Sequence, residues 1–83
     1  MKPEIKFIES AFKHGAKEED IFSALDTFVL EAALKGEAEK FLTVGFDTNG
    51  NLLEVMYNLT DDNVMVIFHA MKCCKKYINM IER

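Results

Sequence analysis

Lys40-Phe41-Leu42-Thr43-Val44-Gly45-Phe46, Asp47-Thr48-Asn49-Gly50, Asn51-Leu52-Leu53-Glu54-Val55-Met56-Tyr57-Asn58: these residues decide the fold. Two runs rich in β-branched and aromatic residues flank a turn signature. Asp47 suits the first position of a type I turn, and Gly50 suits the left-handed bulge position that closes such a hairpin. Pairing Asp47 with Asn51 sets Phe41 opposite Tyr57 and Thr43 opposite Val55. A third run, Val64 to Ala70, follows through Thr60-Asp61-Asp62. With Asn58 opposite Asn63, Tyr57 faces Val64, Val55 faces Val66 and Leu53 faces Phe68. One sheet face then gathers apolar pairs. The other carries Leu42, Val44 and Phe46, then Leu52, Glu54 and Met56, then Met65, Ile67 and His69. Glu54 and His69 become diagonal neighbours there.

Upstream, Thr27-Phe28-Val29-Leu30 reads as a strand while Glu31-Ala32-Ala33-Leu34-Lys35 holds helix formers; an edge strand ending at the Lys35-Gly36 turn is favoured. A helix is expected from about Lys17, with Glu18, Glu19 and Asp20 at the positive end of its dipole. Its inner stripe is Ile21, Leu25 and Phe28 or Ala24. Ile5, Ile8, Ala11 and Phe12 have the spacing of an earlier helix, with Pro3 in its first turn and Gly15 as its left-handed stop. From about Lys72 the period is helical again, with Cys74, Tyr77, Ile78 and Ile81 on one side. The expected fold is a single α+β domain over residues 1–83, in the order α-α-β-β-β-β-α. Two N-terminal helices precede an antiparallel sheet of about four strands and a C-terminal helix. The last helix is expected to cover only part of its face. Leu42, Val44, Leu52, Met56, Met65 and Ile67 are then a candidate interface, for example in a homodimer.

A chain of 83 residues leaves room for one domain. At 49% hydrophobic and 29% charged it is neither disordered nor collagenous. No apolar stretch is long enough to span a membrane, so no membrane partner is expected. Residues 1–6 do not open into the apolar core of a secretory leader. The two cysteines, Cys73 and Cys74, are adjacent and form no disulfide framework, so a reducing cytoplasm is the expected compartment. They also match no familiar Cys/His metal spacing, and no metal or cofactor is expected. The net charge of −4 argues against simple electrostatic capture of nucleic acid, but it is unevenly spread. Residues 1–62 hold six Lys against thirteen Asp/Glu, a balance of −7. Residues 63–83 hold Lys72, Lys75, Lys76 and Arg83 against Glu82, a balance of +3.

Lys13-His14-Gly15, Glu18-Glu19-Asp20-Ile21, Ala24-Leu25, Val44-Gly45-Phe46-Asp47, Gly50-Asn51-Leu52-Leu53-Glu54-Val55, Val66-Ile67-Phe68-His69-Ala70-Met71 and Lys75-Lys76-Tyr77 follow one another in the chain. In this order and spacing the sequence resembles the small BrnT-like toxins of bacterial toxin–antitoxin modules, which have a compact RelE-like fold. The likeness spans roughly residues 7–79. It implies a metal-independent ribonuclease toxin, acting on RNA and silenced by a small cognate antitoxin. Two features depart from the family. Lys72-Cys73-Cys74 stands where members usually carry Arg, and the N-terminal hairpin strand of longer members is not expected here.

RNA cleavage through the 2′-hydroxyl needs a base, positive charge for the phosphorane, and a proton for the leaving 5′-oxygen. His69 as acid or base, Glu54 as its orienting carboxylate, and Lys72, Lys75 and Lys76 as phosphate clamps form the candidate set. His14, beside a helix stop, reads as architectural, because a helix C-terminus favours an imidazolium. Whether the chain is an enzyme is left open. The alternative is a non-catalytic interaction module of the same fold.

Overall fold

The structure is a computed structural model that describes residues 3–34 and 40–81. Strand β1 (Glu4–Phe7) leads into a single 3-10 turn (Glu9–Phe12) and helix α1 (Glu18–Asp26). Four strands follow, β2 (Leu30–Ala33), β3 (Lys40–Phe46), β4 (Leu52–Leu59) and β5 (Val64–Lys72), and then helix α2 (Lys75–Ile81). The five strands form one sheet in the order β1-β5-β4-β3-β2. β1 runs parallel to β5, and the other neighbours are antiparallel.

The fold is therefore α+β, but the expected pair of N-terminal helices is not formed. The first of them is a strand: Glu4 to Phe7 pairs with Val64 to Ile67. Ile5 and Phe7 fit an alternating pattern as well as a helical one, and both pack into the core from β1. Pairing along the edge of β5 satisfies backbone groups that a short isolated helix would leave to water. The sheet has five strands rather than four and is mixed rather than antiparallel, and the first described element is a strand rather than a helix. β2 is an edge strand as expected, whereas the Lys35-Gly36 turn lies outside the described residues.

The β3–β4 hairpin has the expected register, with Phe41 opposite Tyr57 and Thr43 opposite Val55. Asp47 Oδ1 accepts the N–H groups of Asn49 and Asn51 at 2.9 Å each. Gly50 closes the turn at φ +82°, and Gly15 takes φ +88° after the 3-10 turn. The β4–β5 register differs from expectation. Leu59 joins β4, and Thr60 closes the loop: its carbonyl accepts from Asn63 at 3.0 Å and its hydroxyl from Val64 at 3.1 Å. Asn63 adopts φ 62°, a left-handed conformation that Asn tolerates. Tyr57 consequently faces Ile67 instead of Val64.

One sheet face packs on α1 and the 3-10 turn, burying Ala11, Ile21, Ala24, Leu53, Val55, Tyr57, Ile67 and Ala70. Of the two candidates for the α1 stripe, Ala24 is the buried one, and Phe28 is 54% exposed. The other face buries Leu42, Val44 and Cys73 beneath Tyr77, Ile78 and Ile81 of α2. The six residues of the candidate interface are thereby divided, with Leu52 and Met56 half-buried on this face. Leu42 and Val44 lie under α2, while Met65 and Ile67 belong to the opposite core. α1 approaches β3 so closely that a Cβ on Gly45 would overlap the carbonyl oxygen of Ala24.

Candidate functional site

β4 and β5 bring Glu54 and His69 together on the α2 side of the sheet. Their pairing depends on a bulge. Tyr57 faces Ile67 and Met56 faces His69, so Phe68 has no partner on β4. Without that extra residue His69 would point to the opposite face, because side chains alternate along a strand. Bulges re-aim side chains in this way. The expected contact is formed, but through the bulge rather than through the expected register.

The His69 Nε2 and Glu54 Oε2 atoms are 2.9 Å apart. Glu54 is only 3% exposed. Its other oxygen, Oε1, accepts the backbone N–H of Cys74 at 2.9 Å. One buried carboxylate thus orients an imidazole and holds the residue from which α2 starts. An ionised carboxylate only accepts, so this hydrogen bond uses a proton on Nε2 and leaves Nδ1 as the ring nitrogen that Glu54 does not engage. The His69 side chain is 23% exposed, enough for a small polar group to reach it.

The sequence suggests an architectural role for His14. It follows the 3-10 turn, not an α-helix, and its ring lies edge-on to His69, centroids 5.5 Å apart at 71°. Only the topology reveals this contact, since β1 must first be recognised as the strand beside β5.

A groove of about 260 Å³ opens between the α1 start, the hairpin and the end of β5; Glu54 and His69 do not line it, but His14, whose ring contacts His69, does. His14, Asp20, Asp47, Met71 and Lys72 are among its lining residues. Both carboxylates of this lining are committed to the scaffold. Asp20 Oδ1 accepts the Thr48 hydroxyl at 2.7 Å and its N–H at 3.1 Å, and these bonds hold its carboxyl below the usual range. Asp47 caps the hairpin. Lys72 is exposed at the groove. Lys75 and Lys76 are exposed in the first turn of α2, with Lys76 Nζ 5.7 Å from the Tyr77 ring centroid. The three lysines therefore do not converge on one point: Lys72 lines the groove, whereas Lys75 and Lys76 lie on α2, outside its lining.

Cys73 is buried and Cys74 half-buried. Burial, with Glu54 nearby, pushes the Cys73 thiol up to about 11, so it stays protonated at neutral pH. Among the described residues no group of three His, Cys, Asp or Glu is placed to hold a metal ion. No helix there is long and apolar enough to cross a membrane.

No family model matches the sequence, and no curated protein does. The fold does have a solved counterpart. The crystal structure of the Brucella abortus ribonuclease toxin BrnT superposes with a TM-score of 0.62 at 13% identity. The match covers 89% of this chain and 100% of that one. The chain thus has a BrnT-like fold.

Proposed function

We propose that this chain is the toxin-like component of a toxin–antitoxin module, a metal-independent ribonuclease neutralised by a small antitoxin. The observation that carries this reading is the Glu54–His69 pair on a BrnT-like fold. Fold alone does not assign chemistry; a positioned imidazole with exposed lysines beside it supplies the site. His69 takes the proton of the RNA 2′-hydroxyl at Nδ1, and Glu54 stabilises the imidazolium that forms. Glu54 is too buried to touch RNA, so it is a positioning residue. Lys72 holds the scissile phosphate at the groove, and Lys75 and Lys76 hold flanking phosphates. The Lys72-Cys73-Cys74 segment keeps one positive charge where the resembling family usually carries Arg, and its buried Cys73 serves packing.

The test is incubation of the purified chain with single-stranded RNA in EDTA. Fragments ending in 2′,3′-cyclic phosphate support the reading, and intact RNA at micromolar protein refutes it. A short neighbouring reading frame with a ribbon-helix-helix pattern, whose product stops the cleavage, would be the antitoxin. The alternative, a non-catalytic interaction module, draws on the exposed Phe28, Val29 and Phe46. It gains ground if the RNA stays intact.

A further inference from the structure

We propose that His14 is the second proton-transfer residue of this site, the general acid that protonates the leaving 5′-oxygen of RNA. The assignment rests on the ribonuclease reading above and names the group which that reading lacks. His69 has one ring nitrogen committed to Glu54, which leaves a single nitrogen for proton transfer. Cleavage moves two protons, one off the 2′-oxygen and one onto the 5′-oxygen. A second group is therefore required within reach of the same phosphate.

The groove narrows the choice. Its titratable lining groups are His14, Asp20, Asp47 and Lys72. The Asp20 and Asp47 carboxylates each accept hydrogen bonds from the hairpin, from Thr48 and from Asn49 and Asn51 respectively. Lys72 is needed as a cation. His14 is exposed, and its nitrogens hold no hydrogen bond among the described residues. The chain has two histidines, and the fold sets their rings 5.5 Å apart although they are far apart in sequence. Rings this close can each bring a nitrogen within about 2.6–3.2 Å of one phosphodiester.

The placement is held by backbone contacts. β1 ends at Phe7, opposite Ile67, so among the described residues no strand pairs with the far half of β5 on that side. The following segment is tied along it instead. The Ile8 N–H donates to the Ile67 carbonyl at 3.1 Å, and the Ser10 hydroxyl donates to the carbonyl of the bulged Phe68 at 2.7 Å. The Gly15 N–H then donates to the Phe12 carbonyl at 3.1 Å, closing the turn that carries His14. Phe68 thus takes part in both arrangements: its bulge aims His69, and its carbonyl anchors the segment bearing His14.

In the balanced step, His69 removes the 2′-hydroxyl proton and the O2′–P bond forms. The P–O5′ bond breaks, its electron pair leaves on O5′, and the His14 imidazolium gives that oxygen its proton. The products are a 2′,3′-cyclic phosphate and a 5′-hydroxyl. Proton exchange with water resets both rings.

The experiment compares a dinucleotide of ordinary RNA with the same dinucleotide carrying sulfur in place of the bridging 5′-oxygen. A thiolate leaves without protonation. His14→Ala should cleave ordinary RNA about 10²–10⁴-fold more slowly than wild type. It should cleave the sulfur-bridged substrate within a few-fold of wild type, with an unchanged melting temperature. His69→Ala should be slow on both. Wild-type rates for His14→Ala on ordinary RNA, or equal losses on both substrates, would overturn the assignment while leaving the ribonuclease reading in place. If wild-type protein cleaves neither substrate, the ribonuclease reading itself fails and takes the assignment with it.

Discussion

Glu54 reaches His69 with one carboxylate oxygen and the backbone of Cys74 with the other, both at 2.9 Å. One side chain on β4 therefore sets an imidazole on β5 and the start of α2. Glu54→Ala leaves the Cys74 N–H and the imidazole without this acceptor. Urea denaturation should show a loss of about 2–4 kcal/mol. Glu54→Gln still offers one carbonyl oxygen and should lose less. Equal stability of wild type and Glu54→Ala would show that the carboxylate does not anchor α2.

Gly45 and Gly15 separate two kinds of glycine requirement. At Gly45 a methyl group would run into the Ala24 carbonyl, so Gly45→Ala must push α1 off the sheet, at a cost of about 2–3 kcal/mol or more. At Gly15 and Gly50 nothing lies within 4 Å of a new Cβ, and only the positive φ is strained. Their alanine variants should each lose about 1 kcal/mol. Thermal melts of the three variants check that order.

The two adjacent thiols should differ in reactivity. The thiolate is the reactive form, and with Cys73 held at about 11 only about one molecule in a thousand carries it at pH 8. Iodoacetamide followed by peptide mass mapping should find Cys74 modified first. The same shift sets a sign for stability. Folding raises this thiol from 9.0, so its contribution is complete below pH 9 and is lost as pH rises through about 11. Cys73→Ala should flatten that alkaline limb; an unchanged limb would point to the other raised groups, Tyr57 and Tyr77.

Lys72, Lys75 and Lys76 work against a net charge of −4, so RNA binding should weaken steeply with salt. Each alanine variant that removes a phosphate contact should lower the log–log salt slope by about one. Lys72→Ala, at the groove, should also slow cleavage of bound RNA, whereas Lys75→Ala and Lys76→Ala should act on affinity. Filter binding across a salt series, with single-turnover cleavage, separates these effects.

The parts of this fold legible in the sequence are those set by local chemistry. Asp47 and Gly50 announce their hairpin within four residues, and Lys40–Phe46 forms as read. β1 was not legible because Ile5, Phe7, Ile8 and Phe12 satisfy two periods at once; only pairing with the distant β5 decides between them. The bulge at Phe68 leaves no composition signal either. Parity nevertheless placed His69 beside Glu54, because beyond the bulge the register differs from expectation by an even number of residues. Leu53 faces Lys72, not Phe68. The contact of His14 with His69 depended on β1 and stayed hidden with it.

The central claim is that His69 performs proton transfer on RNA. It is tested most directly by single-turnover cleavage of a short single-stranded RNA in EDTA, comparing wild type with His69→Ala at matched folded fraction. The account predicts cleavage by wild type and a rate lower by about 10²–10⁴-fold in His69→Ala. Equal rates for the two proteins, or no cleavage by wild type, would contradict it.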